Sequence, residues 1–197
     1  MKKILIATRN SGKLKEIQSA FSEFSVEILS LADFPNLPDA VEDGKTFEEN
    51  ARIKAKFFSE KTNLACIADD SGLEVDALGG NPGVYSARFA GYHADDGTNN
   101  QKLLDELKKI GVTESPADYR CVLAFIDTDG TEILTSGKVD GVIKNIPQGT
   151  GGFGYDPYFY FKNGKTMAEL TFSEKNEISH RGEALRKMVL KLKGRFS

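Results

Sequence analysis

At 197 residues, 40% of them hydrophobic and 28% charged, the chain has the length and composition of one substantial globular α/β domain, which excludes disordered, collagen-like and coiled-coil readings. Its 26 Lys and Arg against 29 Asp and Glu give a formal charge of −3. No global positive field therefore exists to hold nucleic acid non-specifically or to dock on an acidic membrane, so any anionic ligand needs a local basic cluster.

The opening run Lys3 to Ala7 is β-branched and reads as a buried strand, followed by the polar stretch Thr8 to Gly12. Lys2-Lys3 resembles the start of a signal peptide, but Ile4 to Ala7 is too short for an h-region of ~7–15 residues, so the expected location is cytoplasmic. A helix follows with Lys13 in its first turn and an apolar face of Leu14, Ile17, Phe21 and Phe24. Pro35, Pro38 and the acidic stretch Asp39 to Asp43 mark a loop. Thr46-x-x-Glu49 is a capping box for a second helix with the stripe Phe47, Ala51, Ala55 and Phe58. Leu64 to Ala68 is apolar without alternation, as an interior strand is, and ends at Asp69-Asp70-Ser71-Gly72. Strand ends of this kind are where α/β proteins place their chemistry.

Leu73, Val75 and Ala77 alternate with acidic residues as in a half-exposed strand, ahead of a turn over Gly79 to Gly83. Asp96 or Thr98 caps a helix carrying Leu103, Leu104, Leu107 and Ile110, and Gly111 ends it. Arg120 to Ile126 and Thr131 to Val139 form a hairpin turning near Asp129-Gly130. The longest purely apolar run, Cys121 to Ile126, is far short of the ~20 residues that span a bilayer. A glycine-rich stretch from Gln148 to Pro157 precedes an aromatic strand, Tyr158 to Phe161. The final helix starts after Ser179, uses Ala184, Leu185, Met188, Val189 and Leu192 as its face, and stops at Gly194. Cys66 and Cys121 lie in apolar runs, as reduced core thiols do, and suggest neither a disulfide nor a metal framework.

Three segments have the residue types for chemistry. Thr8-Arg-Asn-Ser-Gly-Lys13, between strand and helix, has the form of a phosphate-binding turn, although Ala7 and Leu14 stand where a Walker loop needs Gly and Ser or Thr. The alternative is a capped turn with a solvated lysine. Lys13, like His180-Arg181 later, puts positive charge at a helix start against the dipole, an arrangement that a bound anion would reverse. Gly149-x-Gly151-x-x-Gly154 matches the dinucleotide fingerprint as a string but opens no helix, leaving a permissive loop with Phe153 as a stacking surface, or a purely structural glycine loop. Asp69 and Asp70 are adjacent, so in extended chain they point to opposite faces and do not share a proton. One of them with a second carboxylate from the Glu42-Asp43 loop would suit Mg²⁺, while simple turn capping is the competing reading. His93 has no assigned role, and Arg88 is structural or lines a site.

Together with Thr46-Phe-Glu-Glu-Asn-Ala51, Pro82-Gly-Val-Tyr-Ser-Ala-Arg88 and Ser179-His-Arg-Gly182, these segments resemble the inosine triphosphate pyrophosphatase family over nearly the whole chain. The resemblance implies one nucleoside triphosphate pyrophosphatase domain over residues 1–197, with an elongated mixed β-sheet flanked by helices and two lobes around a central nucleotide cleft. It implies a Mg²⁺-dependent homodimer that hydrolyses inosine, deoxyinosine and xanthosine triphosphates to the monophosphate and pyrophosphate. By matching motif, Thr8, Arg9, Asn10, Ser11, Gly12 and Lys13 would grip the triphosphate. Asp70 would be proton acceptor and metal ligand, Glu42 a second metal ligand, and Ser71 a substrate contact. Phe153, Gly154, Tyr155, Asp156, Lys175, His180 and Arg181 would surround the nucleoside and phosphates. Selection of the base then calls for a donor to its 6-oxo group, from Arg181 or its neighbouring backbone. The partner is a small-molecule nucleotide, with no nucleic acid and no membrane; the alternative is a non-catalytic purine nucleotide-binding or sensing module.

Overall fold

The computed structural model describes residues 2–196. Six strands form one mixed sheet: β1 (Lys2–Ala7), β2 (Val26–Ser30), β3 (Ala65–Val75), β4 (Glu114–Ile126), β5 (Glu132–Lys144) and β6 (Phe159–Tyr160), in the order β2-β1-β3-β4-β5-β6. β1 runs parallel to both neighbours, with Ile4 opposite Ile28 and Ala65, whereas β5 and β6 are antiparallel. The helices are α1 (Ser11–Ala20), α2 (Phe47–Thr62), α3 (Asp96–Lys109), α4 (Phe172–Ile178) and α5 (His180–Phe196). The chain forms two compact units, and their boundaries fall inside β3, β4 and β5 and after the first residue of α5. The first runs to Asp70 and adds Cys121–Gly137 and the chain from Arg181; the second is Ser71–Arg120 with Lys138–His180.

In the first unit the alternation of side chains along β1 and β3 explains their unbroken apolar sequence. Ile4, Ile6, Ala65 and Ile67 pack with Ile17 of α1, with Phe21 just after it, and with Ala184, Leu185, Met188 and Leu192 of α5. Leu5, Ala7, Cys66 and Ala68 face the other way, onto Ala51, Ala55 and Phe58 of α2. With both faces covered, neither parity can be polar. Both cysteines are buried free thiols. The second unit has its own core of Leu73, Val75, Leu103, Leu107, Tyr119, Ile143, Phe159 and Met167.

The structure corrects several boundaries. β3 does not end at Asp69–Gly72 but continues to Val75, because its polar positions have partners: ion pairs for Asp69, and Ser86 Oγ for the Leu73 amide at 2.9 Å. Ala77 lies instead in a 3₁₀ turn closed by Gly79 at φ +62°. α1 stops at Ala20, and Phe24 beyond it reaches the same core through its ring contact with Phe21. The strand β2 and the seven-residue α4 go unforeseen, each too short for its period to stand out. α3 is capped by Asp95, whose side chain accepts from the Thr98 amide at 2.7 Å, so Asp96 is already helical. The hairpin strands are longer than expected and the aromatic strand shrinks to Phe159–Tyr160. α5 passes through Gly194 because its last turn is held: Arg195 pairs with Asp127 and Asp129, and Phe196 is buried in the core.

Candidate active site

In the first unit, β1 delivers the chain to Thr8 and Asn10, and Asn10 caps α1 by accepting the Lys13 amide at 3.0 Å. Thr8 Oγ1 accepts the Asn10 amide at 3.1 Å, so the turn is held from both sides. The amides of Ser11 and Gly12 are first-turn donors that the helix itself does not use. Arg9 is drawn toward the following loop, donating to Asp39 at 3.0 Å and to the Leu37 carbonyl at 3.4 Å.

Lys13 reaches Asp69 Oδ1 at 2.5 Å. Asp69 Oδ2 accepts from Arg181 Nε at 2.8 Å and from the Cys121 thiol at 3.1 Å, and Arg181 Nη1 donates to Glu16 at 2.7 Å. Arg181 is only 1% exposed. Burial alone would push the Asp69 carboxyl up, but Arg181 and then Lys13 reverse this and hold it well below the usual carboxylate range. The same burial, with Asp69 beside it, pushes the Cys121 thiol well above its ordinary value. Lys13 at the start of α1 and Arg181 at the start of α5 thus share one internal carboxylate, Asp69. Arg181 Nε and Nη1 are both engaged inside this unit, by Asp69 and Glu16.

Asp70 points to the opposite face of β3, as strand parity requires. Its Oδ1 lies 3.5 Å from Lys54 Nζ, which also contacts Glu42 at 2.7 Å and the Asp69 carbonyl at 3.0 Å. Asp70 Oδ2 is buried and has no hydrogen-bond partner among the described residues. Burial pushes the Asp70 carboxyl up to about 6, against the pull of Lys54 and Lys13, with Glu42 and Asp69 adding to the rise. Lys54 is raised in turn, since Asp70 and Glu42 outweigh its own burial. Sequence reasoning missed Lys54. In the sequence Lys54, four residues after Asn50, only borders the apolar stripe of α2, a position that reads equally as the polar edge of the helix.

In the second unit, Ser71 is half-buried and the glycine loop is built around Asp156. Buried Asp156 accepts from the Phe153 amide at 3.0 Å and from Lys175 Nζ at 2.7 Å, and also bonds the Tyr119 side chain. Lys175 Nζ sits 4.3 Å from the centre of the Phe153 ring. Gly154 is clamped by α3 at both backbone groups, by Asp96 at 2.7 Å and Asn100 at 3.0 Å, and Tyr155 donates to the Ser86 carbonyl at 2.8 Å. His180 stacks on Tyr119, with ring centres 4.7 Å apart. At positions 149 and 152 the fold itself uses the missing side chain: a Cβ there would meet the Ala168 backbone or the Asp156 carboxylate, and φ is positive at both. The loop leads into a 3₁₀ turn and β6, in keeping with the rejected dinucleotide reading.

Residues 4–191 match the Ham1 family. The chain belongs to this family. A Geobacter sulfurreducens protein named dITP/XTP pyrophosphatase is 51% identical over 186 residues, 94% of each chain. A Geobacillus kaustophilus protein of the same name is 49% identical over 189 residues, covering 95% of this chain and 93% of that one. The solved structure of a HAM1 protein from Coxiella burnetii, 39% identical, covers 98% of this chain and 100% of its own with a TM-score of 0.88. Membership of the Ham1 family bears out the family resemblance read from the motifs.

Among the described residues no cluster of three or more His, Cys, Asp and Glu forms a ready-made metal cage. For Mg²⁺ this is no obstacle, since that ion takes one or two protein carboxylates and fills its shell with phosphates and water. Asp70, with its partnerless oxygen, and Glu42, which shares its lysine, are two carboxylates of the kind that would suit such an ion.

Proposed function

We propose that this Ham1-family chain hydrolyses non-standard purine nucleoside triphosphates (ITP, dITP and XTP) to the monophosphate and pyrophosphate, removing them from the nucleotide pool. The observation that carries this reading is the buried Asp70 carboxylate, with one oxygen left without a partner and two lysines near enough to influence its ionisation, in a chain half identical to named dITP/XTP pyrophosphatases. A carboxyl pushed up to about 6 is matched to proton transfer near neutral pH.

The chemistry follows from these residues. The Asp70 carboxylate accepts a proton from the attacking water as the P–O bond between the α and β phosphates breaks, giving monophosphate and pyrophosphate. Lys13, Lys54 and the first-turn amides of α1 stabilise negative charge on the phosphate oxygens, an arrangement that needs positioning and electrostatics more than covalent participation. The pair with Asp69 holds Lys13 in place before any ligand arrives. Asp70 and Glu42 would hold Mg²⁺, which when bound supplies charge neutralisation on the phosphates and a more acidic water. In the same reading the enzyme is a cytoplasmic homodimer acting on free nucleotides, and its net charge of −3 argues against nucleic acid as a partner.

Stacking alone cannot choose among purines, since every base offers a π-face, so selection rests on hydrogen bonds that leave an unpaired buried donor when adenine enters. With Mg²⁺ supplied, kcat/KM for ITP, dITP and XTP should exceed that for ATP and GTP by at least ~10²-fold. Steady-state kinetics on this panel checks the expectation, and comparable values for all five nucleotides would overturn the substrate class.

A further inference from the structure

We propose that Asn50 is a positioning residue of this site, latching the acidic loop so that Glu42 is held against Lys54 beside Asp70. The inference rests on the reading of Asp70, Glu42 and Lys54 as the reacting end of the protein. Asn50 is 0% exposed and lies one turn before Lys54 on α2, next to the stripe of Phe47, Ala51, Ala55 and Phe58. Its Oδ1 accepts the Gly44 amide at 2.9 Å, six residues back and two residues after Glu42. Glu42 in turn contacts Lys54 at 2.7 Å.

Two further observations give the residue a purpose beyond packing. Its Nδ2 is buried without a hydrogen-bond partner among the described residues, a cost that an apolar side chain at this place in the core would avoid. The amide is therefore kept for the bond made by its oxygen. Position 44 is shaped to the same contact: a Cβ there would come within 2.7 Å of Asn50 Oδ1 and 2.8 Å of Glu49 Cβ, so only glycine lets its amide approach this closely. Residues 39–44 carry no regular structure and are held by side-chain contacts, with Arg9 on Asp39 at the start and Asn50 on the Gly44 amide at the end. The capping box of Thr46 and Glu49 begins immediately after, with Glu49 also accepting the Lys45 amide at 2.6 Å, so the latch extends a rigid helix start toward Glu42.

Asn50→Ala and Gly44→Ala break the same contact from its two sides. Each should lower kcat for dITP about 10-fold with the KM changed less than about 2-fold, and the double variant should be no worse than either alone, because coupled residues are not additive. In a Glu42→Gln background, Asn50→Ala should have no further effect. A crystal structure of Asn50→Ala, with hydrogen exchange at the Gly44 amide, reads the latch without reference to turnover. Glu42 should leave Lys54, and the Gly44 amide should exchange at least 10-fold faster. Additive losses, or a Glu42 that stays against Lys54 in Asn50→Ala, would overturn the proposal. An inactive wild-type protein would count against the functional reading instead, and the structural and exchange measurements would still decide whether the latch exists.

Discussion

Asp70→Asn is expected to lower dITP turnover by at least ~10²–10⁴-fold while leaving the protein folded, since asparagine has the same shape but cannot accept a proton. The same substitution should change how stability depends on pH. The Asp70 carboxyl is pushed from an ordinary 3.8 up to about 6, so between these values the folded chain binds more protons than the unfolded one. Stability from this group therefore falls as pH rises through that window, by up to ~2–3 kcal/mol at pH 7, and Asp70→Asn should lose the slope. Asp69 acts in the opposite sense and in a different range. Its carboxyl is held well below 3.8, so its stabilisation is present above the unfolded value and disappears only as pH falls below it. Denaturant midpoints from pH 4 to 7 separate the two groups. An unchanged slope in Asp70→Asn, or near-normal turnover, would remove Asp70 from the role of base.

Arg181→Met should cost ~3–5 kcal/mol, because it withdraws one guanidinium from two carboxylates, Glu16 and Asp69, that are almost completely buried. For a chain of this size that corresponds to a drop of roughly 10 °C or more in Tm. Adding Glu16→Gln should recover part of the loss, since the second change removes a buried charge that the first has deprived of its cation. Thermal unfolding of the two variants tests this, and a Tm within about 2 °C of wild type for Arg181→Met would show that the guanidinium is not the hub of this network.

Local rules carried much of the fold. The capping box at Thr46 and the stripe on α2 depend on contacts within one turn or one face, and both appear where expected. The same holds for the separation of Asp69 and Asp70 onto opposite faces, which needs only strand parity. What failed depended on partners distant in sequence. Asp-Asp-Ser-Gly has turn chemistry, yet the strand continues through it, with cations from α1 and α5 pairing Asp69 and Ser86 Oγ accepting the Leu73 amide. Gly194 would end a helix in isolation, but Arg195 is anchored by Asp127 and Asp129. Lys13 and Arg181 were legible as unusual charges, yet the carboxylate between them could not be seen as their shared partner without the fold. Lys54 and Asn50 were hidden for a simpler reason: on α2 they look like the polar edge of an amphipathic helix until the acidic loop is seen folded against them.

The most direct test of the central claim is the product balance of the wild-type protein with dITP and Mg²⁺, with pyrophosphate and phosphate measured separately and no added phosphatase. One pyrophosphate for each dIMP formed, with phosphate at background, is the predicted result. Formation of dIDP with an equal amount of phosphate, or no product from a folded protein, would contradict the account.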